Sequence, residues 1–464
     1  MATKGVQDLA IGRPGDADYQ QATRVFNLAG PVAPAAAATV RSVAQVQQAL
    51  RYARRAGLRV RVISTGHASS TESPMDGALL VRTELAGDVE VDARRRIARI
   101  PAGTRWRDVV AATARYGLTA PHGSSGTVGA VGYLLRGGIS CYGRAMGLAS
   151  NSVRAVELVT ADGSLHRCDA DTDPELLWAL RGGGGGFGVV TAVEVALHPV
   201  HRVLTGSTIW DGAHAEALLT AWLTWCRTAP PAVTSTLRLL NLPPLPEVPP
   251  ILRDRVVLCV DGVELLDPDA DPAPAGVFTP DLLGPLRATA DPILDDWLQT
   301  GPGGVLETHM DPEDPVPAQG DHMLLHDLND EAVARFLRLT GPGSGTPLVL
   351  VGLRHLGGAL ATADPAGGVL SHLDAPLLYS ASGIPADEAA RVAITARLAE
   401  LRTALTPWDT GRTAPTFVES PDQPQRHLDR SDLAAVDRVR ARVDPQGMFA
   451  TDVMTNATAI GSSA

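Results

Sequence analysis

Residues Gly123 to Gly147 read GSSGTVGAVGYLLRGGISCYGRAMG, and this stretch decides the fold. It is rich in glycine, yet apolar residues such as Val128, Val131 and Leu134 are interleaved with the glycines. A disordered linker would lack residues to bury, so we predict an ordered segment. Its glycines permit unusual backbone dihedral angles and let the main chain approach a bound group closely.

Two further glycine-bearing loops lie in the first 200 residues, each beside a predicted strand. The first, Ser64 to Ser70, follows the strand pattern LRVRVIS, and the second, Gly182 to Gly186, precedes FGVVTAVEVALHPV. Backbone N–H groups in such loops can bind a pyrophosphate without a basic side chain. Neither the Rossmann G-x-G-x-x-G pattern nor the Walker lysine pattern is present in usable form. The sequence therefore predicts a dinucleotide site outside the Rossmann plan.

Composition disfavours several other classes of function. The 464-residue chain has 45% hydrophobic and 20% charged residues, and its net charge of −11 offers nothing to neutralise a nucleic acid. No apolar stretch has the length of a membrane span, and the start lacks the apolar region of a secretory signal. The four cysteines are widely spaced without a CxxC pair, and His309, His322 and His326 are interpreted as surface histidines. We therefore expect a cytoplasmic protein with no membrane partner, no nucleic acid partner and no metal.

The composition and the pattern of apolar residues change near residue 200. Before it, the alternating pattern VRAVELVTADGSLHRC, with Asp162-Gly163 as a type I′ turn signal, predicts a hairpin. After Pro199, the helix-like WDGAHAEALLTAWLTWC is followed by proline-rich loops, and a capped helix from Ser431 closes the chain. We therefore place a domain boundary near residue 200.

Six motifs follow one another along the chain. They are ISTGH (63–67), GSSGTVG (123–129), LRGGIS (135–140), RAMGL with Asn151 (144–151), LWALRGGGGGFGVVT (177–191) and VDPQGMF (443–449). In the same order they resemble R-S-G-G-H, G-x-C/S-P-T-V-G, L-G-G-G-x-G, R-x-x-G-L-x-x-D-N, F-W-A-L-R-G-G-G-G-N-F-G-V-V-T and Y-D-P-x-N-x-F. These belong to the berberine-bridge-enzyme-like branch of the vanillyl-alcohol oxidase and para-cresol methylhydroxylase (PCMH) superfamily, which the chain resembles.

The resemblance implies an α+β fold and an FAD cofactor. A PCMH-type FAD-binding domain of two subdomains (24–200) would precede an α+β substrate domain (201–413) whose antiparallel sheet is covered by helices, and 414–464 would return to the FAD domain. The family's flavin-linking histidine is here His67, which implies a covalent 8α-histidyl bond; without it, FAD would bind non-covalently in the same loops. The implied cofactor-binding residues are Ser64, Thr65, Gly66, His67, Ala68, Ser69, Ser124, Ser125, Thr127, Val128, Gly129, Gly132, Gly137, Gly138, Tyr142, Asn151, Gly188, Val189 and Phe449.

The chain also departs from the family pattern. Ser125 stands where many berberine bridge enzymes carry a second flavin-linking cysteine, so at most one covalent link is expected. Arg136, Ser140 and Gly186 replace residues that are usually Gly, Gly and Asn. The segment that usually supplies a tyrosine base reads Ala414-Pro-Thr-Phe417, so that base is absent or has moved.

Other polar residues therefore become candidates for catalysis. Glu419 would act as a surrogate base if burial raised its carboxyl pKa, and Tyr133 would either face the flavin or pack as a core aromatic. Arg354 and its neighbours lie in strands expected over the flavin, where about half of the residues should point away. The predicted catalytic residues are Tyr133, His355, His372, Tyr379 and Glu419.

Three functions remain open at this point. The first is an FAD-dependent oxidoreductase of bacterial secondary metabolism that takes hydride from a small or medium-sized substrate, such as a polyketide, alkaloid or glycosylated natural product, with O2 as the electron acceptor. The second is a flavin-retaining cyclase, isomerase or oxygenase, suggested by the missing tyrosine. The third is a flavin-carrying binding protein without enzyme activity.

Overall fold

The computed structural model describes residues 8–450 apart from 72–74, 243, 245, 247 and 268–279. The last part of the predicted C-terminal segment, 451–464, lies outside the described residues. Of the helices within the described ranges, none combines the length and the apolar character needed to cross a membrane.

Eleven α-helices are found in the part of the chain that the structure describes. They are α1 (Ala17–Ala22), α2 (Val43–Ala56), α3 (Trp106–Ala114), α4 (Ala130–Leu135), α5 (Gly143–Met146), α6 (Pro174–Leu180), α7 (Ala215–Cys226), α8 (Pro280–Arg287), α9 (Asp330–Thr340), α10 (Glu388–Leu405) and α11 (Arg430–Val443).

The strands within the described residues form four sheets. They are β1 (Ala36–Val40), β2 (Arg59–Ile63), β3 (Ala78–Thr83), β4 (Glu90–Asp92), β5 (Ile97–Pro101), β6 (Leu118–Thr119), β7 (Val153–Val159), β8 (Leu165–Asp169), β9 (Val189–Ala196), β10 (His198–Pro199), β11 (Val203–Asp211), β12 (Val233–Leu242), β13 (Arg255–Leu265), β14 (Leu294–Thr300), β15 (Gln319–Leu325), β16 (Leu350–His355) and β17 (Leu377–Gly383).

Two main sheets build the first part of the chain. Strands β1, β3 and β2 form a parallel sheet in the order β1-β3-β2, and an antiparallel sheet has the order β4-β5-β9-β7-β8. The predicted hairpin is present as β7 and β8, but its turn is not type I′, because Gly163 has φ 89° whereas Asp162 keeps a negative φ. A short two-stranded pairing joins β6 to β10.

Helix α2 illustrates how local sequence positions these sheets. Ser42 begins it, since its side-chain oxygen accepts a hydrogen bond from Gln45 N at 3.2 Å. Gly57 ends it in the left-handed conformation with φ 65°. Between these caps, the buried Val46 and Leu50 pack against the parallel sheet and fix the strand that leads into the first glycine-bearing loop.

The second part of the chain is dominated by one antiparallel sheet of seven strands, in the order β14-β11-β13-β12-β16-β17-β15. Leu237, Leu353 and Tyr379 belong to a core shared with α7, α9 and α10, which cover one face of the sheet. Leu324 and Leu378, on the other face, join the core of the first domain. This arrangement confirms the predicted α+β class with an antiparallel sheet covered by helices.

The chain returns to the N-terminal sheets at its end. Arg440 of α11 donates hydrogen bonds to the carbonyls of Gly183 (2.7 Å) and Gly185 (3.0 Å), and so fixes the third glycine-bearing loop. Val60 N of β2 donates to the carbonyl of Met448 at 2.8 Å. The three predicted region boundaries themselves remain predictions.

Candidate active site

A cleft of about 390 Å³ lies between the glycine-bearing loops and the seven-stranded sheet. One side is formed by β2 with the loop after it, by the 123–139 segment and by Gly185 to Gly188. Arg354 of β16 and residues 416–419 form the other side. The volume is in the range of small-molecule and cofactor sites.

Two glycines keep the first wall at the level of the main chain. Gly132 lies on α4 and lines the cleft, and a Cβ atom added to it would have no atom within 4 Å. Gly66 has φ +77°, a conformation that favours glycine, and a Cβ atom there would approach Val25 to 2.8 Å. A flat ligand can therefore lie directly against backbone.

Several polar atoms on the cleft wall have no partner among the described residues. The indole N–H of Trp106, the phenol hydroxyl of Tyr133 and the hydroxyl of Thr416 are buried and make no hydrogen bond there. Buried polar groups are nearly always paired, so these three groups fit a ligand that carries donors and acceptors. The heteroatoms of FAD meet this requirement.

His67 lies on the cleft wall with a fixed ring. The imidazole stacks on Phe26 with ring centroids 3.8 Å apart, and its Nε2 is 2.9 Å from Thr127 Oγ1. Thr127 Oγ1 is in turn 2.9 Å from Ser125 Oγ, which aligns the hydroxyl. Burial lowers the pKa of His67 from 6.5 to about 4, although the nearby Asp311 opposes the shift. The imidazole is therefore neutral at physiological pH.

Glu419 faces the same cleft from the C-terminal segment. The pKa of its carboxyl group is raised to about 7, mainly by burial and also by the Asp321 charge, and Arg136 opposes the rise. Its backbone N–H donates to Gln423 Oε1 at 2.7 Å, which holds the loop in place. Phe417, in the segment that usually supplies the family's tyrosine, also lines the cleft. A carboxyl group with a pKa near neutrality thus lies just past the segment that lacks the tyrosine.

Most of the predicted cofactor-binding residues line the cleft. These are Ser64, Thr65, Gly66, His67, Ala68, Ser69, Ser124, Ser125, Val128, Gly129, Gly132, Gly188 and Phe449. Thr127 supports His67 from behind. Besides Thr127, those that do not line it are Gly137, Gly138, Tyr142, Asn151 and Val189.

The structure gives these remaining residues supporting positions. Gly138 leaves room for the Tyr133 ring, which a Cβ atom there would approach to 2.5 Å. Tyr142 packs edge-on against His122, and Asn151 donates to the carbonyl of Ser371 at 2.8 Å. Val189 is part of the core beneath the parallel sheet. The motifs thus mix residues that line the cleft with residues that hold the lining in place.

The predicted catalytic residues separate into two groups. Tyr133 and Glu419 line the cleft, whereas His355, His372 and Tyr379 do not. His355 points the opposite way from Arg354, because neighbouring residues on a strand face opposite sides, and its Nε2 contacts Arg144 Nη1 at 2.7 Å in a second cavity.

Tyr379 is fully buried in the helix-covered core, where its ring packs edge-on against Phe336. His372 lies outside the cleft with its Nδ1 3.1 Å from Ser371 Oγ. Their positions correct the expectation that these side chains lie over the flavin.

Some charged residues at the site were missed or misread in the sequence. His309 is almost enclosed, with its Nδ1 2.8 Å from Asp261 Oδ1, and His322 is buried and accepts a hydrogen bond from Ala414 N at 3.0 Å, so neither is a surface histidine. The sequence did contain an indication that Asp261 is a buried carboxylate, because it is an acidic residue inside the apolar strand VVLCVDGVELL. Arg61, which lines the cleft from β2, gave no signal. The described residues contain no group of three side chains that could hold a metal ion.

Residues 34–169 match the family described as FAD binding domain. Among curated relatives, (R)-6-hydroxynicotine oxidase of Paenarthrobacter nicotinovorans is 34% identical over 213 residues, which cover 45% of this chain and 46% of that protein. The matches span about half or less of the length of the first curated relatives.

Solved structures resemble the chain over nearly its whole length. 6-Hydroxy-D-nicotine oxidase from Arthrobacter nicotinovorans superposes with a TM-score of 0.82 at 22% identity and covers 98% of this chain and 99% of that one. BBE-like 1 of Physcomitrella patens gives 0.81 at 20% identity, with 96% of both chains covered. Glucooligosaccharide oxidase from Acremonium strictum, described with 6-S-cysteinyl, 8α-N1-histidyl FAD, gives 0.77 at 19% identity, with 97% of both chains covered.

These likenesses confirm the predicted fold. The chain has the PCMH-type fold of the berberine-bridge-enzyme-like, FAD-linked oxidases, and it contains an FAD binding domain.

Proposed function

We propose that this protein is an FAD-dependent oxidoreductase that oxidises a small or medium-sized organic molecule. The observation that carries the proposal is the cleft in the FAD binding domain, where backbone walls and unpartnered polar groups surround the space beside His67. When bound, FAD supplies an acceptor for the hydride of the substrate. The relatives named as nicotine and carbohydrate oxidases support the reaction class.

His67 is proposed to carry the flavin covalently. A neutral imidazole has a free lone pair for bond formation, and burial keeps His67 neutral. Its Nε2 is engaged with Thr127 Oγ1, which leaves Nδ1 as the nitrogen that forms the bond. Ser125 cannot provide the second, cysteinyl link, so a single tether is proposed.

Acid denaturation of the purified protein tests the tether. A yellow pellet, with flavin mass on the peptide that contains His67, is the expected result. Colour that passes entirely into the supernatant would refute the covalent link while leaving non-covalent FAD in place. A colourless protein that takes up no added FAD would refute the whole function.

Glu419 is proposed to act as the base. Its carboxylate accepts the proton of a substrate hydroxyl or amine while hydride leaves the neighbouring carbon. A pKa of about 7 suits this role, because the group is largely ionised at slightly alkaline pH yet basic enough to accept a proton. Arg136 stabilises the ionised form.

The substrate is proposed to come from secondary metabolism, with O2 as the final electron acceptor. The second candidate, a flavin-retaining cyclase, isomerase or oxygenase, is favoured by one feature, the lack of a tyrosine in Ala414-Pro-Thr-Phe417. Anaerobic mixing with a converted substrate separates the two candidates. Bleaching of the flavin absorbance supports hydride transfer, whereas turnover without bleaching and without O2 supports the second candidate.

A further inference from the structure

A chain of buried charges ends at the wall of the cleft. Asp261 of β13 lies 2.7 Å from the Arg238 guanidinium and, through its other oxygen, 2.8 Å from His309 Nδ1. Arg238 also donates a hydrogen bond to the carbonyl of His309 at 2.9 Å. On the far side of the imidazole, His309 Nε2 is 3.0 Å from Arg354 Nη2.

The order of these groups determines which nitrogen of His309 carries the hydrogen. A guanidinium group can only donate, so His309 Nε2 accepts from Arg354 and the ring proton sits on Nδ1, toward Asp261. Burial alone would raise the pKa of Asp261, but Arg238 and His309 outweigh it and lower the pKa below its ordinary value. The carboxylate is therefore ionised and holds His309 in one tautomer and one orientation.

Arg354 is consequently pre-positioned. One edge of its guanidinium is engaged by His309, and its plane lies over Phe417 with 5.7 Å between the guanidinium carbon and the ring centroid. The residue is only half-buried, and it lines the cleft. It comes from the seven-stranded sheet, on the wall opposite the glycine-bearing loops that suit a dinucleotide. Arg354 thus lines the part of the cleft that is left for a substrate.

The local charge of the cleft has the opposite sign to that of the whole chain. The charged side chains among the described residues that line it are Arg61, Arg136, Arg354 and Glu419. The net charge of the chain is −11, so the positive cleft is a local feature. An arginine already ordered by its neighbours binds a carboxylate with little further loss of side-chain freedom.

We propose that Arg354 binds an anionic oxygen of the substrate, and that the substrate is therefore an organic acid with a carboxylate or comparable anionic group. His309 and Asp261 are positioning residues that hold Arg354 for this contact. The inference rests on the proposed function and narrows its substrate class.

Matched acid and amide probes test the proposal on the FAD-containing protein. Isothermal titration with benzoate against benzamide, and with hexanoate against hexanamide, measures the preference for negative charge independently of turnover. We expect at least one acid to bind on the order of tenfold or more tightly than its amide, as a charged hydrogen bond provides. In R354Q the acid should lose this advantage while amide binding stays unchanged.

Two further variants separate recognition from structural damage. R391Q removes a guanidinium paired with Glu388 on the exposed side of α10, and it should keep the preference for the acid. H309Q should weaken acid binding and leave both the amide affinity and the flavin absorbance spectrum unchanged, which a merely unfolded or loosened protein would not do.

The proposal is overturned if neither probe pair shows a preference for the acid, including the case of no binding. It is also overturned if R354Q retains the preference for the acid. If R354Q shifts the flavin spectrum and leaves that preference unchanged, Arg354 contacts the cofactor and not the substrate, which likewise overturns the proposal. The absorbance of the wild-type flavin is recorded in the same samples. Loss of that absorbance would report failure of the proposed function itself, separately from failure of this inference.

Discussion

The two walls of the cleft are built on different principles. The N-terminal wall includes three short glycine-bearing loops within the first 200 residues, where main chain can approach a ligand. The opposite wall presents side chains, Arg354 and Glu419, which are brought together from a central strand and the C-terminal segment. Main-chain contacts are suited to binding one constant cofactor. Side chains on the opposite wall can be substituted to change substrate or chemistry without altering the fold. We therefore expect substitutions at the first wall to affect cofactor retention and those at the second to affect chemistry.

The largest effect is expected from H67A, which removes the only imidazole lining the described part of the cleft. All covalently attached flavin should be lost, as measured by absorbance of the acid-precipitated protein. H372A, a histidine outside the cleft, should retain it. If H67A still carried covalently attached flavin, His67 would not be the attachment site, and the assignment of cofactor retention to the first wall would be contradicted.

A large loss of stability is expected from D261N, because Arg238 then loses its buried counter-charge and His309 its carboxylate partner. Asp261 and Arg238 are 1% and 6% exposed, and breaking such a pair costs about 3–5 kcal/mol. Urea unfolding measures the free energy of unfolding. D295N, which breaks a pair with Arg287 in which each side chain is 28% exposed, should cost about 1 kcal/mol or less. Equal losses would contradict a buried network behind the second wall.

E419Q should slow flavin reduction by about 100-fold while leaving flavin content unchanged. The carboxyl pKa is raised to about 7, so Glu419 is protonated below that pH and cannot accept a proton. In the wild type, the rate of anaerobic reduction should therefore rise with pH around a midpoint near 7, and this rise should vanish in E419Q. E400Q, on the exposed side of α10, serves as the control. A pH profile shared by wild type and E419Q would assign the base elsewhere.

The smallest effect is expected from S42A, which removes the cap of α2 but touches neither wall. Loss of the hydrogen bond from Gln45 N should lower the free energy of unfolding by about 1 kcal/mol. Flavin attachment and reduction rate should not change. T224A, an exposed position on α7 whose hydroxyl bonds only the carbonyl of Thr220, should stay within about 0.5 kcal/mol of the wild type.

Much of the N-terminal region could be predicted because its determinants are local. The caps of α2, the hairpin of β7 and β8 and the glycine-bearing loops each depend on residues close together in the sequence. The prediction of a type I′ turn at Asp162-Gly163 was nevertheless wrong. Thr160 and Ser164 donate hydrogen bonds to the Asp162 carboxylate, and these bonds favour another turn geometry. The role of Glu419 as a base remains a prediction, although its position and raised pKa agree with it.

The second wall could be predicted only in part. The sequence predicted that the region of β16 lies at the site, but not which of its two polar residues, Arg354 or His355, faces the cleft. A one-residue change of register would exchange the two side chains. Asp261, Arg238 and Arg354 are distant along the chain and come together because β13, β12 and β16 are neighbours in the sheet. No local pattern encodes such a contact.

The amino-acid sequence by itself determined the α+β fold, the FAD binding domain and the glycine-bearing loops of the cleft, since turn and strand preferences act over a few residues. Only the tertiary structure decided which side chains reach the cleft, which histidines are buried, and that a carboxyl group near the missing tyrosine titrates around neutrality. The physical reason is that burial and electrostatic interaction depend on neighbours in space, which long-range packing alone brings together.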